Sequence, residues 1–245
     1  MAEFKLPTET VELPSKGHFY PADSPLASGT IEMKYMTAKE EDILTNQNYI
    51  QKGVVIDKLL QSLIVTEGID YSSILSGDKN AIMIAARILS YGKDYDVEIG
   101  GKQVTVDLSE LQNKELDLSE YPKGANEFSF NLPSTGNVVT FKLLTHKDEQ
   151  AIEREMAGLK KINRDSSAAS TTRLKHLITS VNGSTEQKDI REFVDGYLLA
   201  KDARALREEY TRVNPDVDLT VYPDGMEEGV DLPITLNFFW PDARI

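Results

Sequence analysis

The hydrophobic pattern of the chain changes within residues 81–106, which read AIMIAARILSYGKDYDVEIGGKQVTV. In the first half, apolar residues recur at spacings of three and four, as on one face of a helix. Asp78 is the predicted N-cap of this helix, and Gly92 is placed to end it. In the second half, apolar and charged residues alternate on both sides of a two-glycine turn, which indicates a β-hairpin over residues 95–106.

The same two periodicities extend in both directions from this stretch. The predicted helices span residues 37–44, 54–65, 79–91, 145–162, 170–181 and 186–199, the last continuing or kinking into 204–212. The predicted strands span residues 31–36, 95–99, 104–106, 127–132, 137–143, 218–221 and 232–238. The first helix opens with a capping box, in which the Thr37 hydroxyl and the Glu40 carboxylate satisfy each other's backbone amides. These elements predict an α+β fold, with helical blocks at about 37–91 and 145–212 and with intervening and C-terminal β-hairpins.

The domain organisation follows these blocks. Residues 1–30 are rich in Pro, Ser, Thr and Gly and predict an extended N-terminal arm. Residues 31–143 form a helical unit with two β-hairpins, and residues 144–245 form a helical unit with a C-terminal strand pair. The two units are either separate domains or one domain, because 245 residues fit one large domain or two small ones.

Composition and charge exclude several classes of function. The chain has no cysteine, which excludes thiol catalysis, thiolate zinc sites and iron–sulfur clusters. Its formal net charge of −13 repels phosphate backbones, so nucleic acid is not an expected partner. The N-terminal residues lack the pattern of a secretory signal, and no run approaches the length of a membrane span. We therefore expect a soluble cytoplasmic protein without a membrane partner.

Motifs that carry chemistry are not found in the sequence. His18, His146 and His176 lie far apart and are interpreted as structural or solvent-exposed. The acidic residues Asp70, Asp78, Asp94 and Asp96 match no calcium loop and are interpreted as solvated charges. The sequence therefore predicts a protein that is not an enzyme, with no cofactor, no metal site and no catalytic residue. The alternative is a metal-dependent hydrolase whose carboxylate site is assembled only in the tertiary structure.

Two aromatic segments are the candidate partner-binding sites. The N-terminal arm carries Phe19 and Tyr20 between Pro and Gly residues, and it either folds back on its own domain or docks on another chain. On a C-terminal strand, Phe238 and Trp240 would share one face and Phe239 would take the other, followed by Pro241. These C-terminal aromatics are either core residues or a terminal anchor into a partner. In the second case, residues 11–21 and 236–241 carry the contacts while the helices at 54–91 and 170–212 form the scaffold.

An ordered set of segments resembles a known family. The set is LPSKGHFY at 13–20, MTAKEEDIL at 36–44, RILSYGKDYDV at 87–97 and FFWP at 238–241. Together these segments resemble the T4-type phage baseplate hub and baseplate hub assembly proteins. Many members of that family carry C-x-x-C pairs after the third segment and before the last, where this chain has EIGGK and PDGMEEG. The resemblance therefore implies a plain hairpin here in place of a zinc ribbon.

The resemblance also implies a function and a location. It implies a non-enzymatic component or assembly chaperone of the baseplate hub of a contractile phage tail. Its partners would be phage baseplate hub and tape-measure proteins. The protein would act in the host cytoplasm during assembly, or remain in the tail baseplate of the virion. The sequence leaves open whether it is a permanent subunit or a transient factor, and it leaves the oligomeric state unknown.

Overall fold

The α+β class is confirmed by the computed structural model, which describes residues 6–99, 101–162, 168–222, 229–234 and 236–239. Within these residues the α-helices are α1 Ala38–Leu44, α2 Gln47–Gln51, α3 Val55–Leu63, α4 Ser76–Tyr91, α5 His146–Ile162, α6 Ala169–Leu177, α7 Gln187–Gly196 and α8 Ala200–Val213. The strands are β1 Thr8–Glu12, β2 Thr30–Lys34, β3 Asp94–Ile99, β4 Lys102–Asp107, β5 Phe128–Asn131, β6 Val138–Phe141, β7 Ile178–Val181, β8 Thr220–Val221 and β9 Val230–Asp231. The helical blocks and the first two predicted hairpins therefore lie close to where the periodicities predict them.

Helix α1 begins as its capping box predicts. The backbone N–H and the hydroxyl of Thr37 both donate to the Glu40 carboxylate, and Lys34 Nζ lies 2.8 Å from the same group. Burial would raise the pKa of Glu40, but hydrogen bonds from Lys34 and Thr37 hold that pKa at about 2. The first turn of α1 is therefore tied to strand β2.

Helix α4 begins three residues earlier than predicted, so the assignment of Asp78 as its N-cap is wrong. Leu75 is the N-cap, and Asp78 lies inside the first turn with its side chain fully buried. Gly77 is required here because a Cβ at this position would lie 1.8 Å from the Pro215 carbonyl oxygen. Gly92 follows the last helical residue with a φ of +85°, and the prediction that the helix ends there is confirmed.

Four small antiparallel sheets accompany the helices. The pairs are β1–β2, β3–β4 and β8–β9, and the remaining sheet has the order β5-β6-β7. Strand β1 lies inside the segment that the sequence predicts as an extended arm. Strand β7 corrects the predicted helix over 170–181, which ends at Leu177. The four residues that follow, three of which are β-branched, pair with β6 instead, and this pairing supplies hydrogen bonds to one side of their backbone.

The predicted C-terminal strand over 232–238 is wrong, because none of its described residues lies in a strand and the short strand β9 ends at Asp231. A short strand pair joins β8 to β9, but Leu236–Phe239 forms a 3-10 turn. Phe238 and Phe239 are both fully buried there, with ring centroids 5.2 Å apart, so they do not point to opposite faces. The alternation rule for strands does not apply because the backbone turns before these residues.

One continuous hydrophobic core connects all of these elements. It contains buried side chains from the N-terminal segment, from both helical blocks, from the hairpins and from the C-terminal turn. The helices of the described residues include none that is long and apolar enough to cross a membrane.

Candidate functional site

The first candidate partner-binding segment lies inside the protein. Phe19 is 2% exposed and Tyr20 is 4% exposed, and Leu13 and Ser15 of the same loop are buried as well. The loop can pack this tightly because Gly17 has a φ of +73° and a Cβ there would lie 2.5 Å from the Ala27 carbonyl oxygen. Of the two alternatives for the arm, the described residues therefore show the one in which it folds back on its own chain.

Asp78 holds this loop against helix α4. The Ser15 N–H donates to Asp78 Oδ1 at 2.9 Å, and the Ser15 hydroxyl donates to Oδ2 at 2.7 Å. The Tyr20 hydroxyl also donates to Oδ2, at 2.6 Å, and accepts the N–H of Leu75 at 2.9 Å. We call Asp78, Ser15 and Tyr20 the Asp78 latch. All donors in the latch are neutral, and none of the ion pairs found among the described residues involves the Asp78 carboxylate.

The environment of the latch shifts two pKa values in the same direction. Burial raises the pKa of Asp78; hydrogen bonds from Tyr20 and Ser15 offset this in part, and the charge of Asp216 adds to it. Burial and the charge of Asp78 also raise the pKa of Tyr20. The interpretation of Asp78 as a solvated charge is therefore wrong, whereas Asp70, Asp94 and Asp96 are exposed as expected.

Phe19 belongs to an aromatic cluster beside the latch. Its ring centroid lies 5.5 Å from that of Phe128 and 6.0 Å from that of Tyr121. His18 contacts the Phe19 ring edge-on, and its Nε2 lies 2.9 Å from the Tyr121 carbonyl oxygen. The cluster joins the N-terminal loop to β5, so its aromatic surface is used within the chain.

The second candidate segment divides into buried residues and residues outside the described part. Phe238 packs edge-on against Tyr95 of β3, with ring centroids 4.9 Å apart, and Phe239 packs against Phe238. Trp240 and Pro241 lie outside the described residues. The prediction that these six aromatic and proline residues contact a partner stays a prediction, and four of them fill the core of this chain.

A polar cleft opens between α4, α5 and α8. It consists of two adjoining cavities of about 480 Å³ each, which share residues of α4 and α5. The shared lining residues are Lys79, Met83, His146, Glu149 and Glu153. Asp57 of α3 lines one cavity, and Arg173 of α6 lines the other.

Asp57, Lys79 and His146 form the charged cluster of this cleft. Lys79 Nζ lies 2.7 Å from Asp57 Oδ1, and His146 Nε2 lies 3.2 Å from Asp57 Oδ2. Lys79 Nζ also lies 3.2 Å from His146 Nδ1. A lysine ammonium can only donate, so Nδ1 accepts from Lys79, and Nε2 also lies 3.0 Å from the side-chain amide nitrogen of Gln150. The Tyr71 hydroxyl donates to Asp57 at 3.1 Å and completes the group.

These contacts stabilise the ionised form of Asp57. Burial alone would raise the pKa of Asp57, but hydrogen bonds from His146 and Lys79 and the Lys79 charge outweigh it and hold that pKa well below its usual range. A second pair crosses the cleft, where Arg173 donates to both oxygens of Glu149, one of them at 2.9 Å. The cleft therefore contains carboxylates that are paired with cations.

Sequence reasoning did not find this cluster. Its members come from three helices, and Asp57 and Lys79 are 22 residues apart while Lys79 and His146 are 67 apart. In the sequence, Asp57 only interrupts an apolar run and His146 only follows a cap residue. No local pattern distinguishes them, because the packing of α3, α4 and α5 brings them together.

Exposed apolar side chains are found at the corner between α7 and α8. Tyr197 is 63% exposed and Leu199 is 51% exposed. The corner is fixed by Asp202 in the first turn of α8, which accepts the Ser134 N–H at 2.7 Å and the Thr135 hydroxyl at 2.9 Å. We call Tyr197 and Leu199 the apolar corner.

The His, Asp and Glu side chains of the described residues do not gather into a metal site. Among them, no three His, Asp or Glu side chains converge as a metal site would require. His176 lies 3.0 Å from Glu155, whose other contacts are to Arg191.

Comparison with protein families gives one result that covers most of the fold. The family model described as T4 bacteriophage base plate protein matches residues 6–221. Comparisons with curated proteins and with solved structures give no significant match.

Proposed function

We propose a function from one premise: this chain belongs to the family of T4 bacteriophage base plate proteins. On this proposal the protein acts by binding other proteins and not by catalysis. It would serve at the hub of a contractile tail baseplate, as a subunit or as an assembly chaperone. Its direct partners would be hub and tape-measure proteins, met in the host cytoplasm or in the assembling tail.

The extent of the family match is the observation that carries this proposal. Residues 6–221 include β1, the Asp78 latch, the polar cleft and all eight helices of the described residues. The match therefore concerns most of the architecture and not a single motif. A function that depends on the architecture as a whole, such as presenting surfaces to neighbouring subunits, agrees with this extent.

The chemistry of the polar cleft supports a non-catalytic role. A general base that works near neutral pH needs a pKa close to that pH. The pKa of Asp57 is shifted away from neutral pH, because Lys79 and His146 lower it and contact both carboxylate oxygens. Such a carboxylate stabilises the packing of α3, α4 and α5, as structural ion pairs do.

The surface supplies candidate contacts for partners. Interfaces are enriched in aromatic side chains, and the apolar corner exposes a tyrosine and a leucine together. Trp240 and Pro241 remain candidates on the basis of the sequence. The net charge of −13 would speed the encounter with a basic partner and would limit self-association.

Affinity purification of the chain, co-expressed with the neighbouring genes, tests the proposal. Recovery of hub or tape-measure proteins is the expected result, and purified finished particles then show whether the protein persists as a subunit. Tyr197→Ser and Trp240→Ala are compared with Asp42→Ala, an exposed position on α1. Recovery of no base plate protein, together with divalent-metal-dependent hydrolysis by the purified chain, would overturn the proposal.

A further inference from the structure

Strand β1 leaves one backbone edge open. In the part of the chain that the structure describes, β1 pairs only with β2, and Thr8, Glu9, Thr10 and Glu12 are exposed. An open edge presents a row of N–H and C=O groups that can accept another strand. The register of the pair decides which residues present them.

The hydrogen bonds of β2 fix that register. Thr10 is opposite Glu32, whose N–H donates to Thr66 Oγ1 at 2.7 Å and whose carbonyl accepts from the Val65 N–H at 2.9 Å. Both backbone groups of Glu32 therefore point away from β1. In an antiparallel pair, residues opposite each other either exchange both bonds or none, so the N–H and C=O of Thr10 point to the open side.

The same alternation applies along the whole strand. Leu13 donates its N–H to the Gly29 carbonyl at 2.9 Å, which places residues 9, 11 and 13 on the side bonded to β2. The backbone groups of Thr8, Thr10 and Glu12 consequently form the open edge. We call these three residues the β1 edge.

The charges beside the β1 edge have one sign. Glu9 and Glu12 lie on β1, and Glu32 is the cross-strand neighbour of Thr10, whose hydroxyl donates to it. The nearby base, Lys34, lies 2.8 Å from Glu40 and is neutralised by it. A strand added beside β1 would therefore meet exposed carboxylates.

We propose that the β1 edge accepts a β-strand of a partner protein with Lys or Arg at alternate positions. Main-chain hydrogen bonds would supply affinity, and pairing of a basic side chain with Glu12, which shares one face of β1 with Thr8 and Thr10, would supply specificity. A second copy of this chain is a poorer occupant. Antiparallel self-pairing centred on Thr10 makes the two Glu9 side chains diagonal neighbours, where like charges repel. The inference rests on the proposed function, because it assumes that the partner is a protein.

Two variants at one position separate backbone pairing from side-chain effects. Thr10→Pro removes the outward N–H but keeps the bonds to β2, since proline is tolerated on a strand edge. Thr10→Val keeps the N–H and loses only the hydroxyl. The probe is a short capped peptide in which lysine alternates with threonine and valine, and its control has glutamate in place of lysine.

Binding is measured on the full chain by amide hydrogen exchange and by titration. We expect the lysine peptide to protect the amides of Thr8, Thr10 and Glu12, and the glutamate peptide to leave them unprotected. Thr10→Pro should weaken binding at least about tenfold, and Thr10→Val less than about twofold. Protection at other sites, no protection at millimolar peptide, or dimerisation through β1 would overturn the inference.

A charge reversal keeps the test decisive if Thr10→Pro does not fold. Glu12→Lys should weaken binding of the lysine peptide and strengthen binding of the glutamate peptide, whereas unchanged preference contradicts the inference. Co-purification then separates the two proposals. If Thr10→Pro fails to recover base plate proteins while Thr10→Val and wild type recover them, the result supports the β1 edge as the docking site. If Thr10→Pro recovers them as well as wild type does, the result rejects it. Failure of the wild type to recover any base plate protein rejects the proposed function instead.

Discussion

Asp57 and Asp78 lie on neighbouring helices, but their surroundings shift the pKa values of the two carboxyl groups in opposite directions. Asp57 lines the polar cleft beside Lys79 and His146, and its pKa is lowered. Asp78 lies in the Asp78 latch, receives hydrogen bonds only from neutral groups, and its pKa is raised. Both carboxylates have hydrogen-bond partners, so the opposite pKa shifts follow from the deeper burial of Asp78 and from the Lys79 cation beside Asp57.

The comparison shows what each carboxylate contributes. Asp78 fixes a loop to a helix in the core, where removing one partner leaves others unsatisfied away from water. Asp57 joins three helices at the wall of a cleft, where water can replace part of what is lost. We therefore expect the latch to matter more for stability than the cleft cluster, and the following variants measure that difference.

Asp78→Ala should give the largest loss of stability. It leaves the Ser15 N–H, the Ser15 hydroxyl and the Tyr20 hydroxyl without their acceptor in the core, at a cost of about 3 kcal/mol or more. Urea denaturation followed by circular dichroism measures the change. Asp42→Ala, an exposed position on α1, is the control and should change stability by less than about 0.5 kcal/mol.

Asp57→Ala should cost less, about 2 kcal/mol in the free energy of unfolding. It removes the acceptor of Lys79 and Tyr71 and the carboxylate beside His146, but the cleft is open to water that can solvate these groups. The same urea titration measures it. A loss greater than that of Asp78→Ala would reverse the comparison between the two sites.

Tyr20→Phe tests one bond of the latch and should cost about 1 kcal/mol. It removes the donor to Asp78 and the acceptor of the Leu75 N–H, while the ring keeps its place in the core. Comparing the melting temperatures of Tyr20→Phe and Asp78→Ala measures how much of the stability provided by the Asp78 latch comes from the Tyr20 hydroxyl. An unchanged melting temperature would show that the Tyr20 hydroxyl does not hold the loop.

The pH dependence of stability should separate the two carboxylates by sign. The lowered pKa of Asp57 means that its contribution is present above the ordinary carboxyl value and is lost as pH falls through the lowered pKa. The raised pKa of Asp78 means that its contribution is present at low pH and is lost as pH rises through the raised pKa. Urea titrations between roughly pH 2 and pH 7 test this. Asp57→Asn should reduce the acid-side loss, and Asp78→Asn should reduce the loss towards neutral pH; identical slopes would contradict both assignments.

Tyr197→Ser should have the smallest effect on stability, below about 0.5 kcal/mol, because its side chain is mostly in solvent. On the proposed function it should instead weaken recovery of partner proteins. The pair of Tyr197→Ser and Tyr20→Phe thus contrasts a surface tyrosine with a core tyrosine. A marked loss of stability in Tyr197→Ser would show that the apolar corner packs within the chain.

Local features of the fold were predictable from the sequence where they depend only on residues close together in the chain. The capping box of α1, the end of α4 at Gly92 and the β3–β4 hairpin depend on neighbouring residues and agree with the structure. The helix predicted over 170–181 failed at its end because β6 offers residues 178–181 a strand partner that no local pattern records. The predicted role of Asp78 failed because its partners are 58 and 63 residues away.

The sequence by itself determined the α+β class, the order of the helices and hairpins, the acidic charge and the family. These follow from periodicity, composition and the order of motifs, which are visible in the linear sequence without knowledge of contacts between distant residues. Only the tertiary structure decided that Phe19, Tyr20, Phe238 and Phe239 are buried, that Asp57 meets Lys79 and His146, and that the β1 edge is open. Burial and pairing depend on residues that lie far apart in the chain and meet only when helices and sheets pack.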